Sequence, residues 1–402
     1  MSRADPPGTS ARRAALRLLD AVLRKGLPLE AALDGAARDL DKSEDRALAH
    51  AIVAETLRRL PDLDALIDRA TKQRLPDDAK ARFALRIALV QALRLGTPPH
   101  AAISTVLPLV DGGPRKLVHG VFGTAMRGGW TLPEVPALPD PVALRWHGAW
   151  GDDVVAAASR LIATPPPIDL AFAPEDAPDV EGLSLMPGHL RLPRGTDVAA
   201  LPGYAGGRWW VQDISASLPA RLLGAGEGRT VLDLCAAPGG KTMQLAASGW
   251  KVTAVDASES RLARLSDNLA RTGLEAEVIA ADVMTWAPPG PVDAILLDAP
   301  CSATGIFRRH PDVLHRVRPK AIAALAEAQQ AMLARACQWL KPGGALVYSV
   351  CSLEPQEGEA VARAFLETHP DFAQEEEQRI LPGMHEASGG ADSFYLTRFR
   401  RN

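Results

Sequence analysis

The sequence predicts an α/β fold, a parallel sheet covered on both faces by helices, behind an all-helical leading region. Three observations predict it. Across residues 10–128 apolar side chains recur at helical spacing, with almost no strand-like alternation. Between Gly128 and Gly203 lie 12 of the 33 prolines, the texture of a linker. From Thr230 onward short apolar runs alternate with helical stretches, the order that builds a parallel, Rossmann-like sheet with ligands at the carboxyl ends of its strands. The expected division is 1–130 all-α, 131–204 linker and small α/β segment, and 205–402 the Rossmann-like domain.

Leu16, Leu19 and Leu23 mark a first helix, which Gly26 and Pro28 stop. A second runs over 30–40. Ser43 is placed to cap a third, with Leu48, Ile52, Val53 and Leu60 on one face and Pro61 ending it. Leu63, Leu66, Ile67 and Ala70 continue the pattern, and 79–95 and 116–126 fit two more helices. Pro133, Pro136 and Pro139 then make a stiff linker, a helix follows near 154–162, and the pieces 168–172, 183–186 and 190–192 read as small strands. In the last region strands are expected at 231–234, at 251–255 ending on Asp256, at 277–279, at 294–297 ending on Asp298, and at 345–349. A long helix over 321–340 precedes the last of these.

At 47% hydrophobic and 23% charged, the 402-residue chain is globular in composition, which excludes global disorder. No apolar run reaches the ~18 residues a membrane span needs. Arg17 and Asp20 interrupt the first apolar region, which argues against a secretory leader. Four cysteines make no disulfide framework, so a reducing, cytoplasmic compartment is expected. The net charge of −3 argues at first against a nucleic-acid partner. Its distribution argues otherwise: residues 1–130 carry 21 Lys and Arg against 15 Asp and Glu, and the acidic surplus lies in the remainder. A solvated basic face explains the same asymmetry, so charge alone does not choose.

The chemistry concentrates after the first strand of the last region, in Leu234-Cys-Ala-Ala-Pro-Gly-Gly-Lys-Thr242. Gly240-Lys241-Thr242 imitates the end of a P-loop, but the glycine such a loop needs five residues before Gly240 is Cys235. The dinucleotide fingerprint G-x-G-x-x-G is absent too. What remains is a strand, a turn of small residues and a helix start, with an acid, Asp256, at the end of the next strand. Small residues admit a nucleoside-like ligand close to the backbone, and helix N–H groups favour a carboxylate. Asp256 can accept ribose hydroxyls. S-adenosylmethionine offers that ribose and carboxylate without a phosphate; an ordinary strand-to-helix turn is the bland alternative.

Two cysteines stand at further strand ends, in Asp298-Ala-Pro-Cys301-Ser-Ala-Thr-Gly305 and in Tyr348-Ser-Val-Cys351-Ser352. Cys337, inside a helix, reads as a small buried hydrophobe. No C-x-x-C or paired-His spacing supports a metal. A thiol beside S-adenosylmethionine suits methylation of a pyrimidine carbon. A thiolate adds to carbon 6, carbon 5 becomes nucleophilic, a carboxyl group near ring nitrogen 3 supports protonation there, and a base later removes the carbon-5 proton. Arg308 and Arg309 are candidates for the cation that helps ionise the thiol, or are plain surface charges.

These stretches, with Arg309-His-Pro-Asp312, Gln212-Asp213, Ser215, Leu381-Pro-Gly383 and Asp392-Ser-Phe-Tyr395, resemble the Sun-type RNA cytosine-5 methyltransferases over about residues 205–402. The leading region resembles the NusB-like RNA-binding domain of one branch of that family, most clearly at Lys116-Leu-Val-His-Gly-Val121. The resemblance implies a Rossmann-like S-adenosylmethionine-dependent methyltransferase domain preceded by an all-α NusB-like domain, acting on RNA, with ribosomal RNA of the small subunit favoured. It implies S-adenosylmethionine binding by Cys235, Ala236, Ala237, Pro238, Gly239, Gly240, Lys241, Asp256 and Asp282, with Asp298 between cofactor and cytosine. Cys351 is implied as the nucleophile and Cys301 as the residue assisting product release, a choice that strand order alone leaves open. Neither a membrane nor a metal is expected, and the chain is expected to be a monomer.

The sequence departs from the family pattern in places. Val350 stands where the family has Thr, and Ala303 where Gly is common. The stretch 168–172 lacks an Arg-x-Asn, and 101–110 lacks an Asn-Glu pair. Transfer RNA as substrate, or an RNA-binding assembly protein with a silent methyltransferase fold, are the alternatives; intact Asp298, Cys301 and Cys351 count against the second.

Overall fold

Residues 5–173 and 176–402 are described here from a computed structural model. The chain divides into two units, Met1–Thr164 with Phe307–Val317, and Pro165–Ile306 with Arg318–Asn402.

The helical periodicity of the leading region closes the first unit. It contains α1 (Thr9–Leu23), α2 (Leu29–Ala36), α3 (Ser43–Arg58), α4 (Leu60–Ala70), α5 (Lys80–Leu93), α6 (Pro99–Val106), α7 (Gly112–Arg127), α8 (Asp140–Trp150) and α9 (Asp152–Ile162). Leu18, Leu19, Ile52, Val53, Leu57, Ile67, Leu85 and Phe122 from several of these faces share one buried core. Ser43 is the first residue of α3 rather than its cap, a position held by Lys42. Pro61 opens a helix instead of ending one. It lies in the first turn of α4, where a missing N–H leaves no helical bond unmade.

The distant stretch Phe307–Val317 completes this unit and carries α13 (Val313–Arg316). Arg58, buried, donates to the carbonyls of Ile162 (3.2 Å) and Arg308 (2.7 Å). The Asp312 carboxylate accepts the Leu29 N–H at 3.3 Å and Arg316 Nε at 2.8 Å. His315 Nε2 donates to the Leu57 carbonyl at 2.8 Å, and burial pushes its imidazole down to about 4, so the ring is neutral near neutral pH. Buried polar groups thus find partners inside the helical unit for a stretch that the sequence places among the α/β motifs.

The second unit opens with an antiparallel three-stranded sheet, ordered β2-β1-β3, of β1 (Ile168–Ala171), β2 (His189–Leu192) and β3 (Trp210–Val211). The expected strand at 183–186 is a single bridge, Leu183 to Arg191, because the chain turns back at Pro187-Gly188 to enter β2. Asp169 and Arg191 face each other across β1 and β2 as a buried bidentate pair, with N–O distances of 2.7 and 2.8 Å. Asp169 also accepts the Ile214 N–H at 3.0 Å, which fixes the start of α10 (Ile214–Arg221).

A seven-stranded sheet follows, ordered β6-β5-β4-β7-β8-β10-β9. The five strands β4 (Thr230–Leu234), β5 (Lys251–Asp256), β6 (Glu277–Ala280), β7 (Val292–Asp298) and β8 (Leu340–Val350) run parallel, and β10 (Phe394–Arg401) is antiparallel to β8 and to β9 (Phe372–Ile380). Its helices are α11 (Gly240–Ala247), α12 (Glu259–Thr272), α14 (Pro319–Ala336) and α15 (Glu359–Thr368). Alternation sorts the strands onto two cores. Leu232, Leu234, Ile295, Leu297, Leu346 and Tyr348 pack with Leu333 of α14 and Phe365 of α15. Val231, Ala294, Leu296 and Val347 pack with Ile214 of α10 and Leu245 of α11. The strands β9 and β10 are not legible as such in the sequence. β9 carries Glu375-Glu376-Glu377, charges that suit the exposed edge of a sheet and hide its periodicity.

Burial raises the Asp169 carboxyl, but Arg191, with His189 at 3.3 Å, outweighs it and holds the group well below the usual carboxylate range. A depressed folded-state pKa stabilises above the ordinary carboxylate range and is lost as pH falls. Arg191→Met leaves a buried charge without its fork, at an expected cost of about 3–5 kcal/mol in urea unfolding at neutral pH. That difference from wild type narrows as pH falls through and below about pH 4, where the wild-type pair loses its stabilising contribution. A pH-independent difference would show that the pair carries none of it.

Candidate active site

The sheet reverses direction at β4. The chain steps outward from it to β5 and β6, then returns to β7 on the other side. Such a switch point opens a crevice at the carboxyl ends of the strands. The loop after β4 holds Cys235–Gly239, Asp256 ends β5, Asp298 ends β7, and Cys351 follows β8. A groove of about 790 Å³ at the amino ends of β4, β5 and β6, lined by Thr230, Lys251 and Glu277, holds none of these residues.

Local constraints shape the loop after β4. Cys235 has φ +63°, and the Ala237–Pro238 peptide is cis. Gly239 has φ +105°, and a Cβ there would lie 2.8 Å from Leu265 Cγ, so only glycine fits the close approach of α12. The Ala236 N–H donates to the Val255 carbonyl at 3.1 Å. The buried Asp256 carboxylate accepts the Ala237 N–H at 3.1 Å on one oxygen and the Ser258 N–H at 2.9 Å on the other. The oxygen bonded to Ala237 also faces Arg261 Nη2 at 3.6 Å, and each can accept a further hydroxyl. Among the described residues no side chain caps α11, which starts at Gly240 directly after this loop. Asp282 is exposed, with one oxygen on the Met284 N–H at 2.8 Å.

Lys241 points its ammonium across the crevice to Asp298, at 2.7 Å. The other Asp298 oxygen accepts Ser349 Oγ at 2.8 Å. Burial pulls the Lys241 ammonium down, but Asp298, and behind it Cys351 and Asp233, outweigh burial and raise it. Lys241 is therefore a positive charge within electrostatic reach of Cys351. Arg308 and Arg309, weighed for that part in the sequence, fall in the stretch that belongs to the helical unit.

The two cysteines from separate loops meet, with Sγ atoms 3.5 Å apart and both side chains half-buried. The contact with Cys351, then burial, raises Cys301 well above the usual thiol range. Cys301 therefore keeps its proton and is a poor nucleophile. Cys235 is pushed up to about 12 by burial and the surrounding Asp298, Asp256 and Asp233, and Cys337 to about 11 by burial, so neither is a ready nucleophile. Gly305 donates to the Cys351 carbonyl at 3.0 Å and accepts the Ser393 N–H at 3.0 Å. A Cβ at 305 would lie 2.1 Å from the Ser393 oxygen, which explains the glycine that ends this motif.

Sequence reasoning missed the carboxylate behind the thiols. Glu357 is fully buried. One of its oxygens accepts the Ser302 N–H at 2.8 Å and Gln329 Nε2 at 3.1 Å; the other accepts the hydroxyls of Ser302 and of Ser352, the latter at 2.6 Å. Glu357 lies in a run with two neighbouring acids, Glu354 and Glu359, and no spacing rule separates it from them.

Comparison with known proteins matches the chain in two parts. The description 16S rRNA methyltransferase RsmB/F fits residues 220–396, and the NusB family fits residues 9–122. The chain is 33% identical, over 97% of its length and 98% of theirs, to ribosomal RNA small subunit methyltransferase B of Erwinia tasmaniensis. It is 34% identical, over 92% of both, to the protein of the same name from Sodalis glossinidius. The crystal structure of PH0851 shares the fold, with a TM-score of 0.74 at 22% identity over the whole of both chains.

Asp233 lies beneath this site. Thr242 donates to it at 2.6 Å, its other oxygen has no hydrogen-bond partner among the described residues, and burial pushes its carboxyl up to about 7. A raised folded-state pKa gives stability that is whole below the unfolded value and lost as pH rises through the folded one. Urea unfolding should therefore show a loss on the order of 4 kcal/mol between about pH 4 and pH 8 from this group. Asp233→Asn keeps an acceptor for Thr242 and should flatten that slope. An unchanged slope in the variant would place its origin elsewhere.

Proposed function

We propose that this chain, which belongs to the ribosomal RNA small subunit methyltransferase B family, transfers a methyl group from S-adenosylmethionine to carbon 5 of a cytosine in RNA through a transient bond between Cys351 and the base. Two thiols 3.5 Å apart at the switch-point crevice, beside an aspartate–lysine pair, are the observation that carries this reading. The names of the relatives and the NusB-type helical unit favour small-subunit ribosomal RNA as the substrate.

The residues present fit S-adenosylmethionine. The uncapped N–H groups at Gly240 and Lys241 suit its carboxylate, and the free lone pairs of Asp256 suit its ribose. Cys235, Ala236, Ala237, Pro238 and Gly239 keep side chains small where the backbone must come close. Asp282, exposed beyond β6, is assigned to the adenine end. Bound there, the cofactor supplies an electrophilic methyl group.

The chain's own residues do the rest. Cys351 adds as a thiolate to carbon 6, and the ring electrons displaced onto carbon 5 make that carbon the nucleophile. Lys241 favours the thiolate by its charge. Asp298, paired with Lys241 and aimed by Ser349, accepts the hydrogen bond of a ring nitrogen 3 that takes a proton from solvent during addition and returns it when the sulfur leaves. Once carbon 5 carries the methyl group, a base takes the proton left on it, the carbon 5–carbon 6 double bond reforms, and the Cys351 sulfur leaves with its electron pair. Cys301 stands where its S–H can donate to that departing sulfur.

Cys351→Ala should lose turnover by at least about 10³-fold and form no adduct on denaturing gels with RNA. Cys301→Ala should accumulate a protein–RNA adduct that is stable to denaturation. Full turnover in Cys351→Ala would overturn the assignment of the nucleophile. Bisulfite sequencing of ribosomal RNA from a strain lacking the gene should show one 5-methylcytosine missing from the small subunit; an unchanged pattern would reject the substrate.

A further inference from the structure

Cys301 and Cys351 come from different strand ends, 50 residues apart in the chain, yet their sulfurs touch. Something must set that spacing, because each loop alone has many conformations and the chemistry tolerates few. The residue that follows each cysteine is a serine, Ser302 and Ser352, and both are buried. Their hydroxyls are 3.1 Å apart, and both donate to a single carboxylate, that of Glu357. The same carboxylate takes the Ser302 backbone N–H at 2.8 Å.

Glu357 is itself held from two sides. Gln329, on α14, donates to its carboxylate at 3.1 Å and to the Pro300 carbonyl at 2.9 Å, one residue before Cys301. The Tyr348 hydroxyl donates to the Glu357 carbonyl at 2.5 Å and stands 3.2 Å from Gln329 Oε1. On the other side Arg379 donates to the Ser352 carbonyl at 2.6 Å and forks onto Glu359, the first residue of α15. The two thiol loops are therefore bound to one buried anion, which is tied to helix α14 and to strand β8.

We propose that Glu357 is a positioning residue that joins the Cys301 and Cys351 loops through Ser302 and Ser352 and so sets the two thiols side by side. The inference rests on the reading that both thiols serve one reaction. It goes beyond that reading in assigning their alignment to a group that touches neither cytosine nor cofactor. The negative charge of Glu357 also faces Cys301 and adds to the contact with Cys351 and to burial in keeping the proton on that thiol. One carboxylate thereby does two things: it aligns the pair and it helps keep the proton on Cys301.

Dibromobimane, which becomes fluorescent when two neighbouring thiols each displace one of its bromides, serves as a ruler that needs no RNA. With the full chain, peptide mapping should find the Cys301–Cys351 link in wild type. Glu357→Ala should slow that link by at least about tenfold and lower kcat by about tenfold or more, with KM for S-adenosylmethionine within about twofold of wild type. Glu357→Gln, of the same shape and able to bond both hydroxyls, should retain the link. In that variant Cys301 should alkylate about tenfold more at a given pH than in wild type, a change that loss of packing would not cause. Ser352→Ala removes one bridge alone and keeps the test open if Glu357→Ala fails to fold; it should slow the link by less than Glu357→Ala does. Wild-type linking in Glu357→Ala, or in Ser352→Ala should the first variant not fold, overturns the proposal, as does an unchanged pH profile for Cys301 in Glu357→Gln. Failure to methylate cytosine in wild type would reject the parent reading and leave the linking result standing.

Discussion

The ion pair between Lys241 and Asp298 spans the point on which the second unit turns. Lys241 belongs to the helix that follows β4, Asp298 to the end of β7, and these two strands flank the place where the sheet reverses its order. Both groups are substantially withdrawn from water, which costs free energy that the pair must offset by good geometry and further hydrogen bonds. The geometry is good: 2.7 Å between the charges, with the second carboxylate oxygen on Ser349 of β8. A contact across β4, β7 and β8 therefore fixes the floor of the crevice. The same ammonium also interacts electrostatically with Cys351 and with Asp233. Four acids, Asp233, Asp256, Asp282 and Asp298, follow strand ends or lie within one, yet only Asp298 gains a full counterion at this distance among the described residues.

Much of this was legible in the sequence because it lies in short runs. The strand–turn–helix at 231–242, the acid that ends β5 and the two Pro-Cys and Val-Cys strand ends each declare themselves within a dozen residues, and the structure brings them to one end of one sheet. What stayed hidden depends on distant pairing. Glu357 is one acid among several in its stretch until folding seals it behind Ser302 and Ser352. Lys241 was legible as part of a loop but not as the partner of Asp298, 57 residues on. The charged edge strand β9 and the helices α6 and α8, which open at prolines, lack the periodicity that betrays the rest.

The stretch Phe307–Val317 shows why motif and domain need not coincide. It sits in sequence between β7 and α14, but its Asp312, His315 and the Arg308 carbonyl are satisfied by Leu29, Leu57 and Arg58. Those partners are as buried as the motif itself, and a neutral His315 with its N–H committed to a carbonyl is a structural group. Arg309-His-Pro-Asp312 therefore owes at least part of its identity to packing in the helical unit.

Two departures from the family pattern, Val350 and Ala303, fall where packing can absorb them. Val350 is the last residue of β8 and is fully buried in the apolar core beside Leu297 and Tyr348, so a methyl in place of a hydroxyl leaves no polar group without a partner. Ala303 has φ +56°, the left-handed region that glycine enters freely and that costs an alanine about 1–2 kcal/mol. The loop keeps that conformation because it is held at both ends: Ser302 by Glu357, and Gly305 by the Cys351 carbonyl and the Ser393 N–H. A strained residue between two such anchors is one the surroundings over-determine. The position of Cys301 is thus set by its neighbours rather than by its own backbone preference, as a thiol that must meet another across 50 residues of chain requires.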